Sequence, residues 1–147
     1  MKRIISNKKR EQAGQSLVEM AITLTLLITL LAGLVDIGRA FFAWIAIRDA
    51  AQEGALYGSI NPADTSGVIA RARETAASQV DLTQLTIPAP TIAGASCANT
   101  TGSNSVTVNV TYNYNTITPF LSAIIGTQVI TIRASSTNTI ISPQCAP

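Results

Sequence analysis

The chain contains no histidine. That removes the side chain most often used as a general base near neutral pH, and the commonest nitrogen ligand for metals. Charge is scarce as well. Charged residues make up 12% of the 147 residues, against roughly 25% in soluble domains. From Leu82 to Pro147 the sole charged side chain is Arg133, so this half offers no pair of carboxylates for acid–base work. The sequence has no glycine-rich phosphate loop and no cysteine placed beside a base. Two thiols without histidine are a poor zinc set. We therefore expect no enzymatic activity, no cofactor and no metal.

The formal net charge of +2 is misleading. Lys2, Arg3, Lys8, Lys9 and Arg10 lie within the first ten positions, and residues 15–147 sum to −2. A basic pI concentrated in one short terminal segment argues against a nucleic-acid surface, and no nucleic-acid partner is expected.

What the chain does have is a long apolar run. Residues 15–58 read as one helix, with Leu17–Val35 as its membrane-spanning part. Those nineteen residues rise roughly 28 Å, close to the thickness of a bilayer's hydrocarbon core. Thr23, Thr25 and Thr29 fall inside the run, where their hydroxyls can return bonds to helix carbonyls. Beyond Asp36 the pattern becomes amphipathic. Asp36 and Arg39 are spaced to pair on one face, as are Arg48 and Gln52, and Asp36 could instead reach a neighbouring subunit. Phe41, Phe42 and Trp44 read as interface aromatics or as core. Ala46, Ala50, Gly54 and Gly58 recur every four residues, a stripe of small side chains that lets another backbone approach. It can serve the chain's own domain or a partner.

Residues 59–147 read as an extracytoplasmic head. Turn chemistry at 59–66 precedes a second helix over 67–80, with Asp64 or Ser66 as its cap. Val106, Val108, Val110, Tyr112 and Tyr114 alternate with polar residues, a half-buried strand. Gln128–Thr137 gives another, and 82–87 and 91–92 give weaker ones. The apolar link 118–126 is a short helix or a loop over the sheet. The expected class is α+β: a long N-terminal helix, a second short helix and a small antiparallel sheet. Cys97 and Cys145 both follow the apolar run. If that part is exported, a disulfide between them is the natural reading, closing a loop of about 50 residues and adding about 2–4 kcal/mol. Two free thiols are the alternative.

The segment Lys8-Lys9-Arg10-Glu11-Gln12-Ala13-Gly14-Gln15-Ser16-Leu17-Val18-Glu19-Met20 places a basic stretch, a glycine and a lone glutamate at the fifth position of an apolar helix. It resembles the prepilin peptidase signal of type IV pilin-like subunits. With Leu34-Val35-Asp36-Ile37-Gly38-Arg39-Ala40-Phe41-Phe42 and Ile47-Arg48-Asp49-Ala50-Ala51-Gln52-Glu53-Gly54-Ala55-Leu56-Tyr57-Gly58, it resembles the TadE-like family, the minor pilins or pseudopilins of the tight-adherence secretion and pilus system. The chain departs from that pattern in lacking a proline in the apolar helix, in having Met20 after the glutamate, and in having Leu56-Tyr57 where an arginine is frequent.

The resemblance implies that residues 1–14 are a leader, cut between Gly14 and Gln15 by a prepilin peptidase. It implies that Glu19 pairs with the N-terminal amine of a neighbouring subunit during assembly. The partners would be that peptidase and other pilin-like subunits, in a homo- or hetero-oligomeric filament. The head would lie outside the cytoplasmic (inner) membrane with the N-terminus inside, and the subunit would join an extracellular pilus serving secretion or adhesion. A carboxylate in a hydrocarbon segment costs a few kcal/mol, so Glu19 needs such a partner or a place near water. Three other readings stay open: an uncleaved membrane-anchored surface protein, removal of the whole segment near Gly38-Arg39-Ala40, and a secreted head that acts alone.

Overall fold

A computed structural model describes residues 2–94 and 104–141. The chain is α+β, with three helices and one four-stranded antiparallel sheet among the described residues. Helix α1 runs from Lys2 to Ile60, so it continues through the stretch read as a leader. Helix α2 covers Thr65–Ala76, and a 3₁₀ turn at Leu82–Gln84 leads into strand β1, Leu85–Thr86. Strand β2 is Thr91–Ala93 and strand β3 is Ser105–Asn115. Helix α3, Pro119–Ile125, separates β3 from strand β4, Val129–Thr139. Cys97 and Cys145 lie outside the described residues.

Strand β3 is the centre of the sheet. Along one edge it pairs with β4 over its whole length, from Ser105↔Thr139 to Asn115↔Val129. Along the other it meets β2 at Thr91↔Thr107 and β1 at Leu85↔Tyr112. The period-two pattern explains why. Val106, Val108, Val110 and Tyr114 point to one side and are buried. Thr107 and Asn113 point outward, where they bond across to Thr137 at 2.8 Å and Thr131 at 3.2 Å. Such polar cross-strand pairs hold register on a solvated face.

The buried face of β3 lies along α1. Ala50, Ala51 and Ala55 from α1, Val68 and Ala76 from α2, and Val106, Val108 and Val110 from β3 form one core. The small-residue stripe makes this close approach possible. A side chain at Gly54 would come within 3.0 Å of the Ala72 Cβ and 3.4 Å of a Val108 methyl. One at Gly58 would come within 3.0 Å of Val106 and 3.1 Å of Val68. Ala46 and Ala50 are fully buried on the same face. The order Gly58–Val68 then Gly54–Ala72 makes α2 antiparallel to α1. In this chain, then, the stripe serves its own head.

The turn between these helices is locked by one carboxylate. Asp64 accepts from the Gly67 N–H at 2.9 Å, the Ser66 hydroxyl at 2.7 Å and the Tyr57 hydroxyl at 2.8 Å. It is the N-cap of α2, and those donors hold its carboxyl below the ordinary range. Helix α2 ends at Ala76, four residues before the expected end. At the far end of the head the Ile141 N–H donates to the Ser59 carbonyl at 2.9 Å. That satisfies one of the carbonyls a helix C-terminus leaves open.

Two glycines of α1 should respond in opposite directions. Gly54→Val is expected to destabilise the head by about 1–3 kcal/mol through overpacking. Gly38→Ala, which meets nothing within 4 Å, should stabilise it by about 0.5–1 kcal/mol through helix propensity. Thermal unfolding of the detergent-solubilised chain, followed by circular dichroism, measures both.

Candidate functional site

The first surface of interest is the bare part of α1. Every residue from Gly14 to Ile28 is exposed. Leu17, Val18, Met20, Ile22, Leu24, Leu26, Leu27 and Ile28 stand on this single helix, exposed, with none of the described residues covering them. The helix is long and apolar enough to cross a membrane, which is compatible with anchoring there. Its polar groups are handled locally. Thr23, Thr25 and Thr29 each donate a hydroxyl bond to the carbonyl four residues back, at 2.8 Å. These are the bonds expected from the sequence, and they let three hydroxyls sit in an apolar surrounding without unmet donors. A shallow groove along Ala21, Ile22, Thr25, Leu26, Thr29 and Leu30 follows the surface.

Gly14, Gln15 and Glu19 all lie on this bare helix and are exposed. Gln15 and Glu19 are four residues apart, one turn along the same face. Ala46, Ala50, Gly54 and Gly58 belong to a different surface, closed under α2 and β3. The two sets of sequence-selected residues are thus separated into a free stem and a packed one.

The junction between them is built on Asp36, which is 1% exposed. Its carboxylate accepts from the Tyr114 hydroxyl at 2.8 Å, the Ile117 N–H at 3.1 Å, the Thr118 N–H at 2.9 Å and the Thr118 hydroxyl at 2.7 Å. The expected Asp36–Arg39 pair does not form; Arg39 instead lies over the Tyr114 ring, 5.7 Å from its centroid. The reason is geometric. Where β3 turns into α3, backbone N–H groups and a hydroxyl are left without strand partners, and a carboxylate facing them satisfies several at once. Arg48 likewise covers the Trp44 ring at 5.6 Å rather than pairing with Gln52.

Asp36 lies just past the apolar span. Burial pushes its carboxyl up, but the bonds from Thr118, Tyr114 and Ile117 together outweigh burial and bring it down to about 2. The same contact, with burial acting first, pushes the Tyr114 hydroxyl up to about 12. Sequence reasoning did not find Tyr114, Ile117 or Thr118. The available signal was an acidic residue at the end of an apolar run, which has to be neutralised by something.

Phe41, Phe42 and Trp44 continue outward from this junction. They are exposed rather than core. Phe41 stacks on Trp44 with centroids 5.9 Å apart and meets Phe42 edge-on at 6.5 Å. Among the described residues no group of three His, Cys, Asp or Glu side chains converges on a point.

Residues 14–56 match the family model described as TadE-like protein. The stem resembles that family over these residues, which make up less than half of the chain. That match suggests a pilus-related minor subunit of the tight-adherence system. It begins at Gly14 and ends two residues before Gly58, so the TadE-like segment comprises the bare helix, Asp36 and most of the small-residue stripe, and leaves out the sheet. Neither the curated proteins nor the solved structures give a significant match to the chain.

Asp36→Ala should strip an acceptor from the Tyr114 hydroxyl and both Thr118 donors. The expected cost is about 3 kcal/mol, with faster amide exchange at Ile117 and Thr118. Because the Asp36 carboxyl is lowered in the folded chain, its contribution is complete above an ordinary value of 3.8 and is lost as pH falls toward about 2. Amide exchange at Thr118 across that window should show the loss in the parent chain and none in Asp36→Ala.

Proposed function

We propose that this chain is a structural subunit, a pilin or pseudopilin, and not an enzyme. In this reading a prepilin peptidase cuts between Gly14 and Gln15 and removes residues 1–14. The apolar helix, residues 15–58, then stays in the membrane through Leu17–Val35, with residues 59–147 as the extracytoplasmic head. Basic residues at the N-terminus favour the cytoplasmic side. Assembly transfers the stem from lipid into a helical filament of like or related subunits, and the filament carries the head outside the cell.

One observation carries this reading. The fold leaves Gly14–Ile28 wholly exposed along an apolar helix, and the family match, residues 14–56, includes that stretch. Such a surface is unstable in water at roughly 25 cal/mol per Å² of apolar area. It therefore requires lipid at one stage and other helices at another. A filament of packed stems supplies the second environment without any change in the head, whose core closes on α1 beyond Asp36.

Glu19 fits the same scheme. It sits on the exposed surface one turn from Gln15, whose α-amine would be free after cleavage. In a bundle of stems a carboxylate left without a cation is strongly unfavourable, and one docked on a neighbour's ammonium is not. Glu19 would thereby set the axial position of each incoming subunit.

Intact mass measured separately on sheared surface material and on membranes tests the processing. The expected species begins at Gln15 and occurs in both fractions. A species that begins only at Met1 and stays in the membrane would establish the uncleaved anchor instead. Glu19→Ala is expected to be processed normally yet to fall at least several-fold in the sheared fraction. Normal assembly of that variant would refute the docking role of Glu19.

A further inference from the structure

The head covers more of α1 than an anchored domain standing clear of a membrane would. On one face of α1, Asp36 and Gly33 are buried and Ala32 and Thr29 are half-buried. Thr29 lies seven residues before Asp36, about 10 Å down the helix. The covered face therefore extends roughly two turns into the apolar run Leu17–Val35. Helix α3 is the element that starts at this point. Thr118 is bonded to Asp36, Pro119 follows as the first helical residue, and α3 contacts α1.

The overlap cannot be removed by sliding the span toward the N-terminus. A span ending at Ile28 and starting at Gln15 has fourteen residues and rises only about 21 Å, well short of the ~30 Å of hydrocarbon. Sliding it further back would draw the basic residues before Gly14 into lipid. The end of the head that carries α3 must then share depth with the last two turns of the span.

The composition of that end suits lipid. No charged residue occurs between Leu82 and Gln128. Ile117, Ile124 and Ile125 are 68%, 66% and 47% exposed. Helix α3 opens on Pro119, which has no N–H of its own to satisfy, and ends on Gly126. Gly126 adopts φ 79°, and its N–H donates to Ser122 at 2.9 Å. A non-glycine residue would be strained in that conformation. The single acidic group at this level, Asp36, has its carboxylate saturated with donors. Phe41 and Phe42 sit one to two turns above Asp36, at the height where aromatic side chains collect on a membrane surface.

We propose that Ile117 and α3 form a foot that is buried in the outer leaflet of the membrane before assembly. The occupant of its exposed face is the boundary between lipid headgroups and acyl chains, a layer that such interfacial helices enter by about 5–10 Å. The foot sets the depth and tilt at which the head is held, because Asp36 ties it rigidly to the end of the span. This inference rests on the anchored reading of Leu17–Val35.

The test uses the full chain, with Trp44→Phe to remove the native indole, reconstituted in phosphatidylcholine and phosphatidylglycerol vesicles. Single tryptophans are placed at Ile124, at Ile125, at Leu27 in the span and at Gln79, exposed in the head just past the end of α2. Lipids brominated near the headgroup end of the acyl chain serve as quenchers. The expected result for Ile124→Trp and Ile125→Trp is blue-shifted emission that the shallow bromines quench, with Gln79→Trp red-shifted and unquenched. Leu27→Trp should be quenched by deep bromines. Quenching at Leu27 with Ile124 and Ile125 behaving like Gln79 would overturn the foot and leave the anchor standing. Absence of quenching at Leu27 would overturn the anchor and the foot with it. Emission at Ile124 that shifts blue only in lipid-free filaments would mean that a neighbouring subunit occupies the face, and would also overturn the proposal.

Discussion

Everything in the head depends on how closely strand β3 can lie against helix α1. The two run alongside one another from the Tyr114–Asp36 contact to the Val106–Gly58 contact, a length on the order of 30 Å for either element. Such an approach needs a helix face with almost no side chains. Ala46, Ala50, Gly54 and Gly58 supply it, and the valines of β3 fill the space they leave. Among the described residues the head has one core, and it is built on this face. Helix α2 closes the opposite flank on the same glycines, so a single face of α1 organises both the second helix and the sheet.

That dependence leaves α1 with two chemically distinct halves. Beyond Asp36 the helix is held by its own domain. From Gly14 to Ile28 it is held by none of the described residues, and its apolar side chains require an outside medium. Asp36 stands between the halves and converts the turn from β3 to α3 into a fixed joint. A charged group serves better than a neutral one here, because hydrogen bonds to a carboxylate are about twice as strong as neutral ones and several donors converge on it. Burial of the acid would otherwise be costly. The joint transmits the axis of the stem to the sheet with little freedom.

The main features of the fold were readable because they are local. A nineteen-residue apolar run specifies a helix long enough to span a bilayer, and strict alternation over 106–114 specifies a strand with one buried face. The threonine hydroxyl bonds followed from helix geometry. Asp64 was one of two candidate caps, and Tyr57 was not seen as its third donor, because that contact spans the turn. The roles of the charged residues were misread in the same way. Asp36 and Arg39 have the spacing of an ion pair, but each found a better partner eighty or so residues away in sequence.

The sequence alone therefore determined the membrane-length helix, the class of the head, the alternating strand and the resemblance of the stem to the TadE-like family. Each of these is encoded in contiguous residues whose spacing is set by a helix or strand period. Only the tertiary structure decided that the small-residue stripe faces the chain's own head, that Asp36 is a joint rather than a surface ion, and that α3 starts at that joint in contact with α1. Those outcomes depend on which distant backbone donors and side chains arrive at the same place. No local period carries that information, because it arises when β3 is laid along α1.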